Sequence, residues 1–252
     1  MSTVRVYDLP TRVFHWSFAG LFATAYAIAN LVDDDSARFA WHMLAGVLMG
    51  VAVLLRVAWG VVGTRHARWS DLSLDPRQLA AYLKGVVAGG GRRWAGHNPA
   101  SSWAALAMVG MALGMAGSGL AMAAGVAPEW VEEAHELVAN TFLAVALLHV
   151  AGLLLHALRH RDGLPASMVT GRKRDLAAEV APVPARGVAA LLMLGVLASA
   201  GVGLARAYDP ATRSLDLFGT RLVLGEDGGE AHGAGAEGED HDDDGDEGHD
   251  DD

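Results

Sequence analysis

The chain has 252 residues, 52% of them hydrophobic and 19% charged, with a mean hydropathy of +0.26; gathered into a few long blocks, that apolar share indicates a polytopic membrane protein and not a soluble domain. Cysteine is absent, which excludes disulfides, thiolate nucleophiles, iron–sulfur clusters and covalently attached c-type haem. The formal charge of −10 belongs to the tail: from Gly225 onward there are 14 acidic residues and no Lys or Arg, leaving +4 over the rest.

Five stretches are predicted to cross the bilayer, near Phe14–Val32, Phe39–Val62, Ser102–Ala124, Val131–Leu158 and Gly187–Ala207. Each approaches the roughly 20 residues that a helical crossing requires. The first is expected to stay in the membrane, because no small-residue cleavage site followed by a soluble chain comes after it. Arg56 interrupts the second near one end, where it is expected to snorkel to the interface. The connection that follows is basic, with Arg65, Arg68, Arg77, Lys84, Arg92 and Arg93. Within it, Leu74–Val87 opens at Pro76 with modest amphipathicity, predicting a short interfacial helix that Gly89, Gly90 and Gly91 break. A second basic segment follows the fourth stretch, with Arg159, Arg161, Arg172, Lys173, Arg174 and Arg186. The opposite connections are acidic, with Asp33, Asp34 and Asp35 in one and Glu129, Glu132 and Glu133 in the other. Basic connections mark the cytoplasmic side, so the N-terminus is expected inside and the C-terminal tail outside a bacterial cytoplasmic membrane. Arg206, Arg213 and Arg221 run against that last assignment.

Histidines inside apolar stretches are functional-site candidates, since an ionisable side chain is costly in hydrocarbon. His15 falls at the cytoplasmic start of the first stretch and His42 at the outer start of the second. His135 and His149 lie 14 positions apart on the fourth, about 21 Å along a helix and almost a whole number of turns, so they share a face. Depth pairs His42 with His135 on the outer side and His15 with His149 on the inner side. That is the arrangement needed to hold two haems by bis-histidine ligation, with each second ring nitrogen hydrogen-bonded to fix its tautomer. His156 follows His149 by seven positions on the same face, so depth alone does not choose between them. Small residues sit beside the candidate ligands: Ala19, Gly46, Gly50, Ala139 and Gly152. They suit a flat macrocycle, and equally suit plain helix packing in a membrane. His66, His97 and His160 lie in or beside basic loops, where a solvated or phosphate-facing role is expected. Arg56, Arg65 and Arg68 are candidates to pair with haem propionates, although positive-inside topology accounts for them as well. The sequence has no nucleotide-binding glycine pattern after a strand and no nucleophile elbow, and no nucleic-acid partner is expected.

Several motifs carry a resemblance. The run Tyr7-Asp8-Leu9-Pro10-Thr11-Arg12-Val13-Phe14-His15-Trp16 resembles the opening of bacterial cytochrome b561 and nickel–iron-hydrogenase b-type cytochrome subunits. Also similar are Trp41-His42, Gly63-Thr64-Arg65-His66-Ala67-Arg68, Gly96-His97-Asn98-Pro99, His135-Glu136-Leu137-Val138-Ala139-Asn140 ending at His149, and Met168-Val169-Thr170-Gly171-Arg172-Lys173. The likeness covers residues 4–174. It implies an all-α fold, a transmembrane four-helix bundle holding two haems b, with His15, His42, His135 and His149 as axial iron ligands; by resemblance, His149 is preferred to His156. It also implies electron transfer between the quinone pool and a redox partner. Glu136 and His97 are candidates for the mouth of a quinone site.

The chain departs from that family in a fifth helix at 187–207 and in the acidic tail at 225–252, which is expected to be disordered. His232, His241 and His249 in the tail are candidate weak ligands for Cu²⁺, Ni²⁺ or Zn²⁺, and its charge suits capture of a basic periplasmic cytochrome. Membership of a hydrogenase- or dehydrogenase-type complex is the other partner expectation. The alternative function is a divalent-metal transporter or sensor that uses the membrane histidines and the tail.

Overall fold

A computed structural model describes residues 3–88, 96–160, 166–174, 180–217 and 219–224. The acidic tail with His232, His241 and His249 lies outside the described residues, as do Arg92, Arg93, Arg161 and the break expected at Gly89, Gly90 and Gly91.

Five long helices dominate: α1 (Leu9–Leu31), α2 (Ala40–Val62), α4 (Pro99–Ala123), α5 (Trp130–His160) and α7 (Gly187–Ala207), with the shorter α3 (Pro76–Val87) and α6 (Ser167–Thr170) between them. Three of the helix starts use one device, an Asp or Asn cap within two residues of a proline. Asp8 accepts a hydrogen bond from the Thr11 amide at 2.9 Å, Asp75 from Arg77 at 2.8 Å and Asn98 from Ser101 at 2.8 Å. Each carboxylate or amide oxygen satisfies a backbone donor that the helix leaves open, and proline there forfeits no hydrogen bond. The interfacial helix expected at 74–87 is present as α3.

Four helices are long and apolar enough to cross a membrane: Ala40–Val62, Pro99–Ala123, Trp130–Leu158 and Gly187–Ala207. The first expected span also forms a helix and starts earlier, at Leu9, but falls short of that apolarity. It carries His15, Trp16, Thr24, Tyr26 and Asn30, and several of these make polar contacts within the bundle.

α1 packs most extensively on α2, α7 lies against both, and α4 joins α2 to α5. The core between them is apolar. Met49, Val53, Ala112, Met115 and Phe142 form its centre, with Phe14, Phe18, Phe22, Val57 and Val138 around it. Phe142 of α5 reaches α1 through tilted ring contacts, 5.6 Å from Phe18 and 4.5 Å from Phe22. By contrast, Leu137, Leu147, Leu148, Leu154 and Leu158 of α5 and Val188, Leu191 and Leu192 of α7 point outward. An exposed aliphatic surface of this extent is what a lipid-facing helix presents.

Two small antiparallel sheets close the ends. At one end β1 (Thr3–Arg5) pairs with β2 (Arg172–Arg174), with Thr3 opposite Arg174 and Arg5 opposite Arg172. The start of α1, the end of α2 and the start of α7 share that end, tied by hydrogen bonds from Leu9 to Ala185 and from Trp59 to Asp8. At the other end β3 (Tyr208–Asp209), β4 (Ser214–Leu217) and β5 (Thr220–Val223) follow α7 directly. Leu215, Leu222 and Leu224 of this sheet pack on Ala40, Leu44, Ala123 and Leu204, so a hairpin caps the start of α2 and the ends of α4 and α7. Arg213 donates to the Asp35 carbonyl at 2.6 Å. Gly219, at φ +82°, makes the tight turn between β4 and β5.

Leu215 is fully buried at the centre of the cap. Leu215→Ala is expected to cost the cap about 2–5 kcal/mol while leaving the helices folded. Tryptic cleavage at Arg213 and Arg221 in detergent should then accelerate with no change in helical circular dichroism; unchanged cleavage would contradict this account of the cap.

Candidate functional site

The histidines lie at the two ends of the bundle. His42 begins α2 and His135 lies in the second turn of α5, at the capped end; their ring centroids are 6.3 Å apart and their planes cross at 71°. Each ring is held through one nitrogen. His42 Nδ1 stands 2.9 Å from the carbonyl oxygen of buried Ala25 on α1, and His135 Nδ1 stands 2.8 Å from Ser118 Oγ on α4.

These contacts determine the tautomers. A carbonyl only accepts, so His42 must carry its proton on Nδ1. Ser118 Oγ donates to the Gly114 carbonyl at 2.8 Å, which leaves the hydroxyl oxygen to accept from His135 Nδ1. With the proton on Nδ1, the neutral form of each ring presents a bare Nε2 lone pair. Gly119 lets α4 run close beside His135, since a Cβ there would stand 3.5 Å from the imidazole Cε1. The separation also fits a shared metal. A ligating nitrogen lies about 2 Å from its metal and about 1 Å from its ring centre, so two rings on opposite sides of one ion stand roughly 6 Å apart.

At the other end, His15 and His149 are electrostatic neighbours, and His15 meets Trp16 edge-on at 5.2 Å. Trp16 Nε1 in turn donates to the Met168 carbonyl at 3.1 Å. His42 and His135 are thus adjacent at one end, and His15 and His149 sense each other's charge at the other. His156 is half-buried further along α5. Glu136 is exposed on α5 and accepts weakly, at 3.4 Å, from Asn140, whose amide oxygen accepts from Tyr26 at 2.8 Å.

Two expectations require correction. Arg56 does not snorkel outward. It is 6% exposed and its guanidinium stacks 4.5 Å above the Trp69 ring. Trp69 is fixed there by a hydrogen bond to the Val57 carbonyl at 3.1 Å and by Gly60, whose missing Cβ leaves space for the indole. Nor is His66 solvated: it is buried, with Nδ1 2.8 Å from Asp71 Oδ2. His97 stands beside it, with its Nδ1 buried and its ring edge-on to Tyr7 at 6.2 Å. Arg65 and Arg68 stay exposed, Arg65 at 3.9 Å from Asp71 and Arg68 bonded to the Gly63 carbonyl. Lys173 is buried, donates to the Gly96 carbonyl at 3.2 Å and lies 5.3 Å over the Tyr7 ring.

Burial sets the protonation of this second group. Burial, then the facing charges of Arg56 and Lys173, pushes the His97 imidazole down to about 4, with Asp71 opposing and His66 adding to the shift. Burial, with the Asp71 charge behind it, pushes the Tyr7 phenol up to about 12. At neutral pH His97 and Tyr7 are both uncharged.

The family model described as "Prokaryotic cytochrome b561" matches residues 6–171. Among curated relatives, the "Probable Ni/Fe-hydrogenase B-type cytochrome subunit" of Rhizobium leguminosarum bv. viciae is 25% identical over 68% of this chain and 89% of its own length. The protein of the same description from Rhodobacter capsulatus is 37% identical over 26% of this chain and 31% of its own. The "Probable Ni/Fe-hydrogenase 1 B-type cytochrome subunit" of Escherichia coli K12 is 27% identical over 32% and 40%. No solved structure matches.

A histidine whose pKa is lowered on folding stabilises the fold above its unfolded value and loses that contribution as pH falls toward the folded one. The window for His97 therefore runs from about 6.5 down to about 4. Thermal unfolding in detergent should become easier across that window in the native protein and less steeply so in His97→Gln; identical pH profiles for the two proteins would show that His97 is not buried uncharged.

Proposed function

The chain belongs to the prokaryotic cytochrome b561 family, and from that premise we propose that it is a di-haem b-type cytochrome that carries electrons between the quinone pool and a redox partner. Membership already establishes the coarser statement, a multi-pass bacterial membrane cytochrome with haem b. The observation that carries the finer one is the His42–His135 pair. Two neutral imidazoles, each pinned through Nδ1, present their Nε2 lone pairs at a separation that suits one iron between them.

In this reading His42 and His135 hold the outer haem, and His15 and His149 the inner one. Haem b supplies the one-electron chemistry when bound. The protein's part is to orient the rings, exclude water with the Phe14, Phe18, Phe22 and Phe142 cluster, and set ligand basicity through the second nitrogen. On α5 the two ligand positions are 14 residues apart, about 21 Å along the axis, which makes one helix the scaffold of both centres.

The antiparallel pairing of β1 with β2 supports treating residues 4–174 as the haem-binding unit, with α7 at 187–207 as an addition. α1, although less apolar than the others, is read as a fifth crossing because α2 and α7 flank it along its length. The basic connections favour an N-terminus in the cytoplasm and the hairpin cap outside. The tail at 225–252, outside the described residues, is read from its charge as an acidic lure for a basic periplasmic carrier. A hydrogenase-type complex, after the relatives' descriptions, is the second partner class. Among the described residues, no three His, Asp or Glu side chains stand together as a metal-ion site, and no observation favours the metal-transport alternative.

A pyridine haemochrome assay on the detergent-solubilised protein is expected to give two haems b per chain. His135→Ala should reduce this to one and leave the inner haem's spectrum intact, whereas a protein without haem would end this reading. Ser118→Ala, which removes only the partner of His135 Nδ1, is expected to weaken haem retention at the outer site by about 10–100-fold, read by haem transfer to an apo-globin acceptor.

A further inference from the structure

Four separated motifs meet at the end that carries His15 and His149, and ligation by histidine uses none of them. They are Tyr7-Asp8, Gly63-Thr64-Arg65-His66, Gly96-His97 and Gly171-Arg172-Lys173. Gly171, at φ +76°, has no room for a Cβ, which would stand 2.8 Å from the Tyr7 carbonyl; its own carbonyl accepts from the Val6 and Tyr7 amides. Gly96 likewise leaves space for His66 and Asp71, which a Cβ would approach to 2.6 Å and 2.8 Å. Chain segments far apart in sequence are thus drawn into one buried polar cluster.

That cluster has polar atoms to spare. Arg56 Nη1, His66 Nε2 and His97 Nδ1 are all buried without a hydrogen-bond partner. A buried donor left unmade is costly, more so when it is charged. The carboxylates nearby are already committed. Asp8 Oδ1 accepts from the Thr11 amide, and its Oδ2 accepts from Trp59 Nε1 at 3.1 Å and Thr64 Oγ1 at 2.7 Å. Asp71 Oδ2 is bound to His66 Nδ1. A cation would be repelled by Arg56 and Lys173, which both face His97. An apolar ligand would leave the donors unmet. An anion with acceptor oxygens satisfies Arg56 Nη1, and His97 Nδ1 in its Nδ1–H tautomer, and a planar carboxylate suits a guanidinium best; His66, whose Nδ1 proton goes to Asp71, has an acceptor at Nε2 and takes no part.

The position of Arg56 indicates where that carboxylate comes from. Arg56 follows His42 on α2 by 14 residues, as His149 follows His135 on α5, so it lies on the His42 face about 21 Å deeper. Val13 and Phe14, next to His15, pack among Ala52, Leu55 and Trp59 around it. Arg56 is therefore level with the inner histidine pair. We propose that Arg56, with His97, forms a carboxylate-binding seat whose occupant is a propionate of the inner haem. This rests on the two-haem reading above. Arg65 and Arg68, exposed and bonded elsewhere, take no part.

The test is a spectroscopic redox titration of the haem-loaded, detergent-solubilised protein, with haem counted in every variant. A guanidinium paired with a propionate favours the reduced haem. Arg56→Gln should therefore lower the reduction equilibrium of the inner haem by about tenfold, ~59 mV for one electron, and leave the outer haem unmoved. Arg56→Lys should recover part of that shift, and His97→Gln should give a smaller one in the same direction. If Arg56→Gln sheds the inner haem altogether, the other two variants decide by the same titration. Both midpoints unchanged in every variant that keeps two haems would overturn the assignment. So would an inner midpoint in the native protein that moves when acetate replaces chloride, because a free carboxylate would then be the occupant. Fewer than two haems in the native protein would instead fail the two-haem reading, and this seat with it.

Discussion

An imidazole among apolar helices has two nitrogens to satisfy, and the arrangement of this bundle follows from that constraint. At the capped end the protein supplies one partner per ring. The Ala25 carbonyl on α1 takes His42, and Ser118 on α4 takes His135. Both partners sit on a neighbouring helix and not on the ring's own, so the tautomers are a property of helix packing. Because Ser118 has already given its proton to Gly114, the direction of the hydrogen bond to His135 is settled one turn away from the ring. What remains is one nitrogen on each ring of a pair whose centroids stand 6.3 Å apart between α2 and α5, which α4 bridges.

The two ends of the molecule solve different problems. The capped end, which carries His42 and His135, is closed by a small apolar sheet whose leucines cover the helix ends. The opposite end is closed by polar side chains: an arginine stacked on an indole, a His–Asp pair, an uncharged histidine and a buried lysine. Buried polar groups of this kind are costly unless fully partnered. Their unspent donors are what separates this end from a merely structural closure and make it the place to look for an anion. Between the two ends the core is aliphatic and aromatic, with the Phe142 ring of α5 tilted against Phe18 and Phe22 of α1.

Much of the fold was legible from the sequence. Long apolar blocks mark helices because backbone polar groups in lipid must bond within their own segment, and Pro76 marked the start of α3, whereas the Asp8 and Asn98 caps start α1 and α4 at Leu9 and Pro99, ahead of the apolar blocks at 14 and 102. The hairpin cap was not legible, since strands of two to four residues carry no usable periodicity, and their leucines resemble the end of a span. The reversal of Arg56 was hidden for a different reason. A long cationic side chain near a helix end is equally compatible with snorkelling and with burial, and only the Trp69 ring resting on Gly60, nine residues away in sequence, makes burial favourable.

For the site, the spacing of His135 and His149 along one helix and the alternating charge of the connections suggested a pair at each end, because helical rise converts sequence distance into depth, while the choice of His149 over His156 came from resemblance. Depth, however, says nothing about which nitrogen of a ring is engaged, or with what. That depends on Ala25 and Ser118, residues with no distinguishing sequence signal, brought within 3 Å by helix crossings. Nor does it show that His66, His97, Arg56 and Lys173 share one buried space, since they come from four segments joined only by tertiary packing. The sequence by itself determined the elements, their depths and the residue types available for chemistry. Tertiary structure alone decided tautomers and burial, because both depend on the neighbours a side chain meets across the bundle.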